Sequence, residues 1–283
     1  MTSTSTSSPP SPTSAVSLKV DLNCDMGESF GAYRIGADDA VFPYITSANI
    51  ACGFHGGDPS VMRATVAQAR QRGVAVGAHP GFPDLIGFGR RSMDVTPDEV
   101  YDLVIYQVGA LLGFARAAGV EMQHVKAHGA LYNMAAVAAP LAAAIARAVR
   151  DVDRGLVLFG LPGSHLLGEA EAVGLTTASE AFADRNYMPD GSLVSRRRSD
   201  AHVHDADEAL ARAIRMVREG RVRAVDGQDI ALRADTICIH GDGPHATAFA
   251  RRLREGFEQA GISVQAIGRG QDSASDARAT SKT

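Results

Sequence analysis

The residues best suited to chemistry recur at one kind of place along the chain, the end of a short apolar run. In V-D-L-N-C-D-M-G-E, Asp21, Asn23 and Asp25 stand at i, i+2 and i+4, so an extended backbone puts all three on one face. Carboxylates buried without partners lose their hydration, and three aligned polar groups point to a site rather than to turn and cap duty around Gly27. In A-C-G-F-H-G-G-D-P, two glycines follow His55 and let the backbone approach a neighbour closely. Asp58-Pro59 in the same run reads as an N-cap and first helical residue. His79 precedes Pro80 at the end of a third run. In H-V-K-A-H-G-A-L-Y-N, His124, Lys126 and His128 share parity. A lysine inside a barrel needs a partner, and Asp21, Asp25 and Glu180 are the natural ones. Lys126 is then either half of a structural ion pair or the cation that steadies a substrate carboxylate or oxyanion. Asp184 and Arg185, just after Glu180, read as a plain surface pair. Cys238, His240 and Asp242 alternate onto one face, and Arg90 in the loop Gly87–Ser92 is a candidate clamp for an anionic substrate.

The elements that must position these groups alternate. Strands are expected over Leu18–Asn23, Ile45–Ala51, Val74–Ala78, Gln123–Ala127, Leu156–Gly160, Leu175–Glu180, Thr236–His240 and Ile262–Ile267. Between them apolar residues recur at three- and four-residue steps. The clearest helix follows Thr96-Pro97-Asp98-Glu99, a capping box with proline at the first helical position. Two more are centred on Ala206–Val217 and Ala246–Phe257. Alternating β and α segments imply a parallel sheet with helices outside. The number of strands and the polar groups gathered at their ends favour closure into a barrel, for which some 250 patterned residues suffice. Residues 181–205 form the longest stretch without a period, with a hairpin-type turn at Asp190-Gly191 and the run Arg196-Arg197-Arg198. Such a segment is expected to be a lid or contact surface. Residues 1–15, rich in Ser, Thr and Pro, and residues 269–283 are expected to be disordered tails around one domain at 16–268.

Composition narrows the classes. The chain has 283 residues, 45% hydrophobic and 21% charged, with a formal net charge of −4. That is an ordinary globular balance without the basic excess of nucleic-acid binders, and no unbroken apolar run reaches the length of a membrane span. Three cysteines without a Cys-x-x-Cys pair argue against a disulfide scaffold and for a reducing, cytoplasmic setting; Cys52 and Cys238 read as small buried hydrophobes. P-loop, Gly-x-Ser-x-Gly and His-Glu-x-x-His motifs are missing. Gly241-x-Gly243-x-x-Ala246 only imitates a dinucleotide fingerprint, since Pro244 occupies the loop and no acidic strand follows.

The runs DLNCDMGESFG, SANIACGFHGGDP, GAHPGFPDLIGFGRR, VKAHGALYN, EAFADRNY and CIHGD, in this order, resemble the LamB/YcsF family over about residues 16–268. One departure is Ala127, where the family pattern has proline; alanine keeps the alternation. The resemblance implies a single deformed (β/α)7-type barrel, TIM-like and akin to that of glycoside hydrolases and deacetylases. It also implies ATP-dependent opening of 5-oxo-L-proline to L-glutamate, as one part of an assembly with subunits of types B and C. ATP, with Mg2+, would be handled together with those partners.

Under that implication Asp21, Asn23, Asp25, Lys126, His128 and Glu180 are the candidate catalytic set, and His55, His79, Arg90, His240 and Asp242 the candidate substrate-binding set. Asp25 or His128 is the expected general base. Two rivals stand beside this reading. One is a metal-dependent amidohydrolase or deacetylase needing no ATP, with a divalent ion on Asp25, His55 and His79. The other is a non-catalytic subunit that binds small molecules.

Overall fold

Polar and apolar residues alternate along Lys19–Met26, and this alternation sets the architecture. In the computed structural model, which describes residues 18–239 and 246–269, Asp21, Asn23 and Asp25 of this strand turn to one side. Leu22, Cys24 and Met26, on the other side, join the main apolar core. The strands are β1 (Lys19–Met26), β2 (Ser47–Ala51), β3 (Ala75–His79), β4 (Met122–Lys126), β5 (Val157–Gly160), β6 (Thr176–Phe182), β7 (Arg221–Arg223), β8 (Asp229–Ala231), β9 (Thr236–Ile239) and β10 (Ser263–Val264). The helices are α1 (Asp38–Val41), α2 (Pro59–Arg72), α3 (Pro97–Ala117), α4 (Gly129–Val137), α5 (Ala139–Val152), α6 (His165–Ala172), α7 (Ala206–Glu219) and α8 (Ala246–Gln259).

Strands β1 to β6 pair in sequence, all parallel, and β9 pairs with both β6 and β1. The sheet therefore closes into a seven-stranded barrel. Each expected strand is present within a few residues, except that the last shrinks to two residues pairing with Lys19–Val20. The antiparallel hairpin β7–β8 was not legible, because RVR and DIA are too short and too charged to show a period.

The helices form the outer layer. Asp58 caps α2 by accepting from the amides of Ser60 (2.8 Å) and Val61 (3.2 Å), and the Thr96–Glu99 capping box opens α3. Helix α3 is long and apolar enough to cross a membrane by length and composition alone. Here Val100, Val104, Val108, Leu111 and Ala115 are buried, packed in the barrel's outer layer against α5 and β3.

The barrel interior is polar, with a smaller apolar cluster of Val157, Phe159 and Ala178 separate from the main core. Phe159 stacks on the His124 ring at 4.3 Å. Gly77 makes this possible: the β3–β4 register shifts there, and a Cβ at this position would overlap the His124 imidazole.

The segment after β6 is tied down rather than loose. The Arg185 guanidinium donates to the carbonyls of Val194 (2.6 Å) and Ala201 (3.3 Å). The buried Tyr187 hydroxyl accepts the Phe182 amide at 2.8 Å. Arg185 is thus not half of a surface pair, and burial pulls its pKa down to about 10. The Asp190-Gly191 turn is present, with Met188 and Ser192 bonded across it.

Candidate active site

A polar ladder rises through the barrel from Asp21. Its Oδ1 accepts from the hydroxyls of Thr46 (2.6 Å) and Ser47 (2.7 Å), and its Oδ2 from Thr236 (2.5 Å). Burial pushes the Asp21 carboxyl up, against the lowering effect of those three hydroxyls. All three donors come from the protein itself, and Asp21 lies outside the lining of the large cavity described below. The expected catalytic role therefore does not fit its depth: Asp21 fastens β1 to β2 and β9. One step up, Asn23 donates to Thr236 Oγ1 (2.7 Å) and accepts from Asn49 (2.7 Å) and Lys126 Nζ (3.3 Å). It too positions neighbours rather than facing the cavity.

Lys126 is the centre of the next layer. Its ammonium lies 2.9 Å from Asp25 Oδ1, 2.8 Å from Glu180 Oε1 and 3.1 Å from Cys238 Sγ. Asp25 and Glu180 are the partners realised, and Asp21 is not. Burial works against the ammonium, yet the neighbouring carboxylates hold its pKa well above the usual lysine value. Cys238 is more than a hydrophobe, since its sulfur contacts that cation; burial keeps its thiol well above the ordinary range. The buried Tyr132 phenol, pushed up by burial and by Glu180, closes this layer.

Above the lysine stand three histidines. His79 Nδ1 is 2.8 Å from the Lys126 carbonyl, and its Nε2 is 3.2 Å from Asp25 Oδ2. His128 Nε2 is 2.7 Å from the Phe88 carbonyl, and Phe88 itself holds a left-handed backbone (φ 54°), a strained conformation for a bulky residue. His128 Nδ1 and His79 Nε2 lie 2.9 Å apart. His55, fully buried, stacks on His128 with ring centroids 3.7 Å apart and planes 2° apart. Burial, reinforced by neighbouring rings, holds both His55 and His128 well below the ordinary histidine pKa; burial takes His124 down to about 3.

Sequence reasoning missed Glu28, whose Oε1 lies 3.3 Å from His55 Nε2 and 3.6 Å from His128 Nδ1. Glu28, His55, His79 and His128 each bring one donor atom within 4.8 Å of the others. Asp25, expected as a metal ligand, stands beside this set, with its Oδ1 committed to Lys126. The glycine after His55 serves the same contact, because a Cβ on Gly56 would come within 2.7 Å of the Glu28 carbonyl.

An open cavity of about 510 Å³ meets this cluster from above, within the usual size of small-molecule sites. Asp25, His79, Lys126 and His128 line its inner end, and Arg90 with Arg196 and Arg197 its mouth. Arg90 lies over the Phe88 ring at 4.9 Å. His55 and Glu180, assigned from sequence to direct roles, are both fully buried outside that lining, Glu180 against Lys126 and His55 against His128. His240 and Asp242 lie outside the described residues. The result is an acid, lysine and histidine floor under a cationic mouth, suited to a small anion whose reacting end develops charge.

A model of the LamB/YcsF family matches residues 20–272, nearly the whole barrel. The chain belongs to the LamB/YcsF family. LamB/YcsF relatives with high identity include the 5-oxoprolinase A subunit of Bacillus licheniformis, 61% identical over 249 residues, covering 88% of this chain and 98% of that protein. The 5-oxoprolinase A subunit of Bordetella pertussis is 62% identical over 247 residues, covering 87% and 98%. Among solved structures, the lactam utilization protein from Thermus thermophilus superposes with a TM-score of 0.85 at 51% identity, covering 88% of this chain and 100% of that one. The family expected from six sequence runs is thus the family found.

Proposed function

We propose that this chain is the A-type subunit of an ATP-dependent 5-oxoprolinase, working in the cytoplasm with B- and C-type subunits. The observation that carries the reading is Lys126, buried between Asp25 and Glu180 at the floor of an arginine-mouthed cavity, in a chain about 60% identical to 5-oxoprolinase A subunits. A lactam is an unactivated amide with a poor leaving group. Transfer of the γ-phosphoryl group of ATP, as its Mg2+ complex, to the amide oxygen gives an electrophilic imidate carbon and ADP. Water adds to that carbon, the ring C–N bond breaks with protonation of nitrogen, and a second water releases phosphate from the acyl phosphate, leaving L-glutamate.

In this reading Asp25 is the base. Both residues line the cavity, but the Asp25 side chain is 15% exposed with its oxygens oriented by Lys126 and His79, whereas the His128 side chain is 4% exposed with its ring nitrogens held by Phe88 and His79. Lys126 steadies negative charge at the reacting end, and Arg90 takes the substrate carboxylate. The chain lacks a P-loop, in keeping with nucleotide handled jointly with partner subunits. The test is to supply 5-oxoproline, ATP and Mg2+ to the chain with and without B and C partners, measuring glutamate and ADP together. Equimolar glutamate and ADP in the complete mixture supports the reading; no glutamate there, or glutamate without ADP, overturns it. The latter result is what metal-dependent amide hydrolysis would give, a second reading favoured by the convergence of Glu28 with three histidines.

A further inference from the structure

The histidine cluster holds a feature that lactam opening does not use. A carbonyl oxygen only accepts, so His79 Nδ1 and His128 Nε2, which face the carbonyls of Lys126 and Phe88, carry the ring protons. The other two nitrogens, His79 Nε2 and His128 Nδ1, then confront each other at 2.9 Å with a lone pair on each. Two lone pairs at that separation repel unless a cation joins them. Carboxylates crowd the same point: Asp25 Oδ2 lies 3.2 Å from His79 Nε2, and Glu28 Oε1 lies 3.6 Å from His128 Nδ1. His55 adds an independent sign. It is fully buried, yet among the described residues neither of its ring nitrogens makes a hydrogen bond, although Nε2 lies 3.3 Å from Glu28 Oε1.

The spacing fits a metal. Around a tetrahedral zinc ion with ligands at about 2.0–2.2 Å, neighbouring donor atoms lie roughly 3.3 Å apart. Here His79 Nε2 to His128 Nδ1 is 2.9 Å and His128 Nδ1 to Glu28 Oε1 is 3.6 Å. Both rings hold their outer N–H against a backbone carbonyl, as metal-bound histidines do. The stack excludes one alternative. His55 and His128 are parallel within 2°, and a single ion cannot lie in both ring planes.

We infer that Glu28, His79 and His128 form a site for a divalent transition metal of the zinc class. Both histidines line the cavity, so an ion held there would be accessible to a small ligand, and His55, 3.3 Å from Glu28, is a positioning residue. Such an ion would supply a Lewis acid at the inner end of the cavity. The inference shares its site with the lactam reading but not its chemistry.

The test is a zinc titration of the metal-stripped full-length chain by calorimetry, with elemental analysis of protein purified without chelator. One tightly bound zinc per chain is expected. Glu28→Gln, His79→Ala and His128→Ala should each weaken it by more than about 100-fold, and His55→Ala by about 10–100-fold, the range for outer-shell partners. His165→Ala, at an exposed helix start, should leave it unchanged. Where a variant does not fold by circular dichroism, nitrogen-15 histidine spectra of the wild type decide. Zinc should shift His79 Nε2 and His128 Nδ1 together. No binding at micromolar zinc, an imidazolium proton shared by the pair, or full binding in the Glu28→Gln, His79→Ala and His128→Ala variants overturns the inference. None of these readouts involves glutamate or ADP, so this site and the lactam reading can fail separately.

Discussion

Replacing Lys126 by methionine keeps most of the side-chain volume while removing the cation between Asp25 and Glu180. The ammonium contacts both carboxylates within 2.9 Å and is 4% exposed, and Glu180 is fully enclosed. Removing one partner of a buried ion pair costs about 3–5 kcal/mol, because the charge left behind is uncompensated. For a chain of this size, each kcal/mol corresponds to about 2–4 °C in Tm, so the variant should melt roughly 6–20 °C lower. Urea unfolding followed by circular dichroism measures the loss directly. The decisive comparison is the double variant Lys126→Met/Glu180→Gln. Taking away the stranded carboxylate should restore stability relative to Lys126→Met alone, since neutral replacements of buried ion pairs are often harmless. A loss below about 1 kcal/mol, typical of exposed pairs, would refute the reasoning. So would a double variant less stable than Lys126→Met.

Three further outcomes follow from the geometry. Asp21→Asn should lower stability by about 1–3 kcal/mol through its three hydroxyl contacts while changing turnover in the complete assembly less than tenfold. Because Asp21 titrates higher folded than unfolded, its contribution is full at low pH and falls as pH rises through the folded pKa. The deficit of Asp21→Asn should therefore be larger near pH 4, close to the ordinary aspartate value, than near pH 7 in paired urea titrations. Arg90→Met should raise KM for the anionic substrate roughly tenfold or more with little change in kcat, the signature of lost uniform binding; an unchanged KM would remove Arg90 from substrate recognition. Gly77→Ala should cost about 1–3 kcal/mol by overpacking against His124, read as a fall in Tm, and an unchanged Tm would contradict the tight approach.

Much of the barrel was legible because its signals are local. Parity put Asp21, Asn23 and Asp25 on one face, strand ends gathered His79, Lys126 and His128, and Thr96 and Asp58 announced their helices. Parity does not report depth, and depth separates Asp25 at the cavity from Asp21 among its hydroxyls. Glu28 escaped because it lies two residues past the end of β1, beyond Gly27, where a two-residue period no longer places side chains. The trace it left was indirect: the glycine after His55 makes room for the Glu28 backbone. The choice among three carboxylates for Lys126, and the role of Arg185, depended on neighbours far apart in the chain. No periodicity encodes such pairings.

The polar interior bears finally on how the chain finds its register. Strand β1 pairs with β2 over Asn23–Met26 and with β9 over Asp21–Cys24, so it is flanked on both sides. A slip by one residue would turn Leu22, Cys24 and Met26 inward and drive three polar side chains, two of them carboxylates, into the apolar layer beneath the helices. Apolar strands that exchange one hydrophobe for another tolerate such an error cheaply, whereas here each misplaced carboxylate is stranded without a donor. The groups that burden the native state thus burden mispaired states more. The same residues that equip the cavity also proofread the assembly of the barrel.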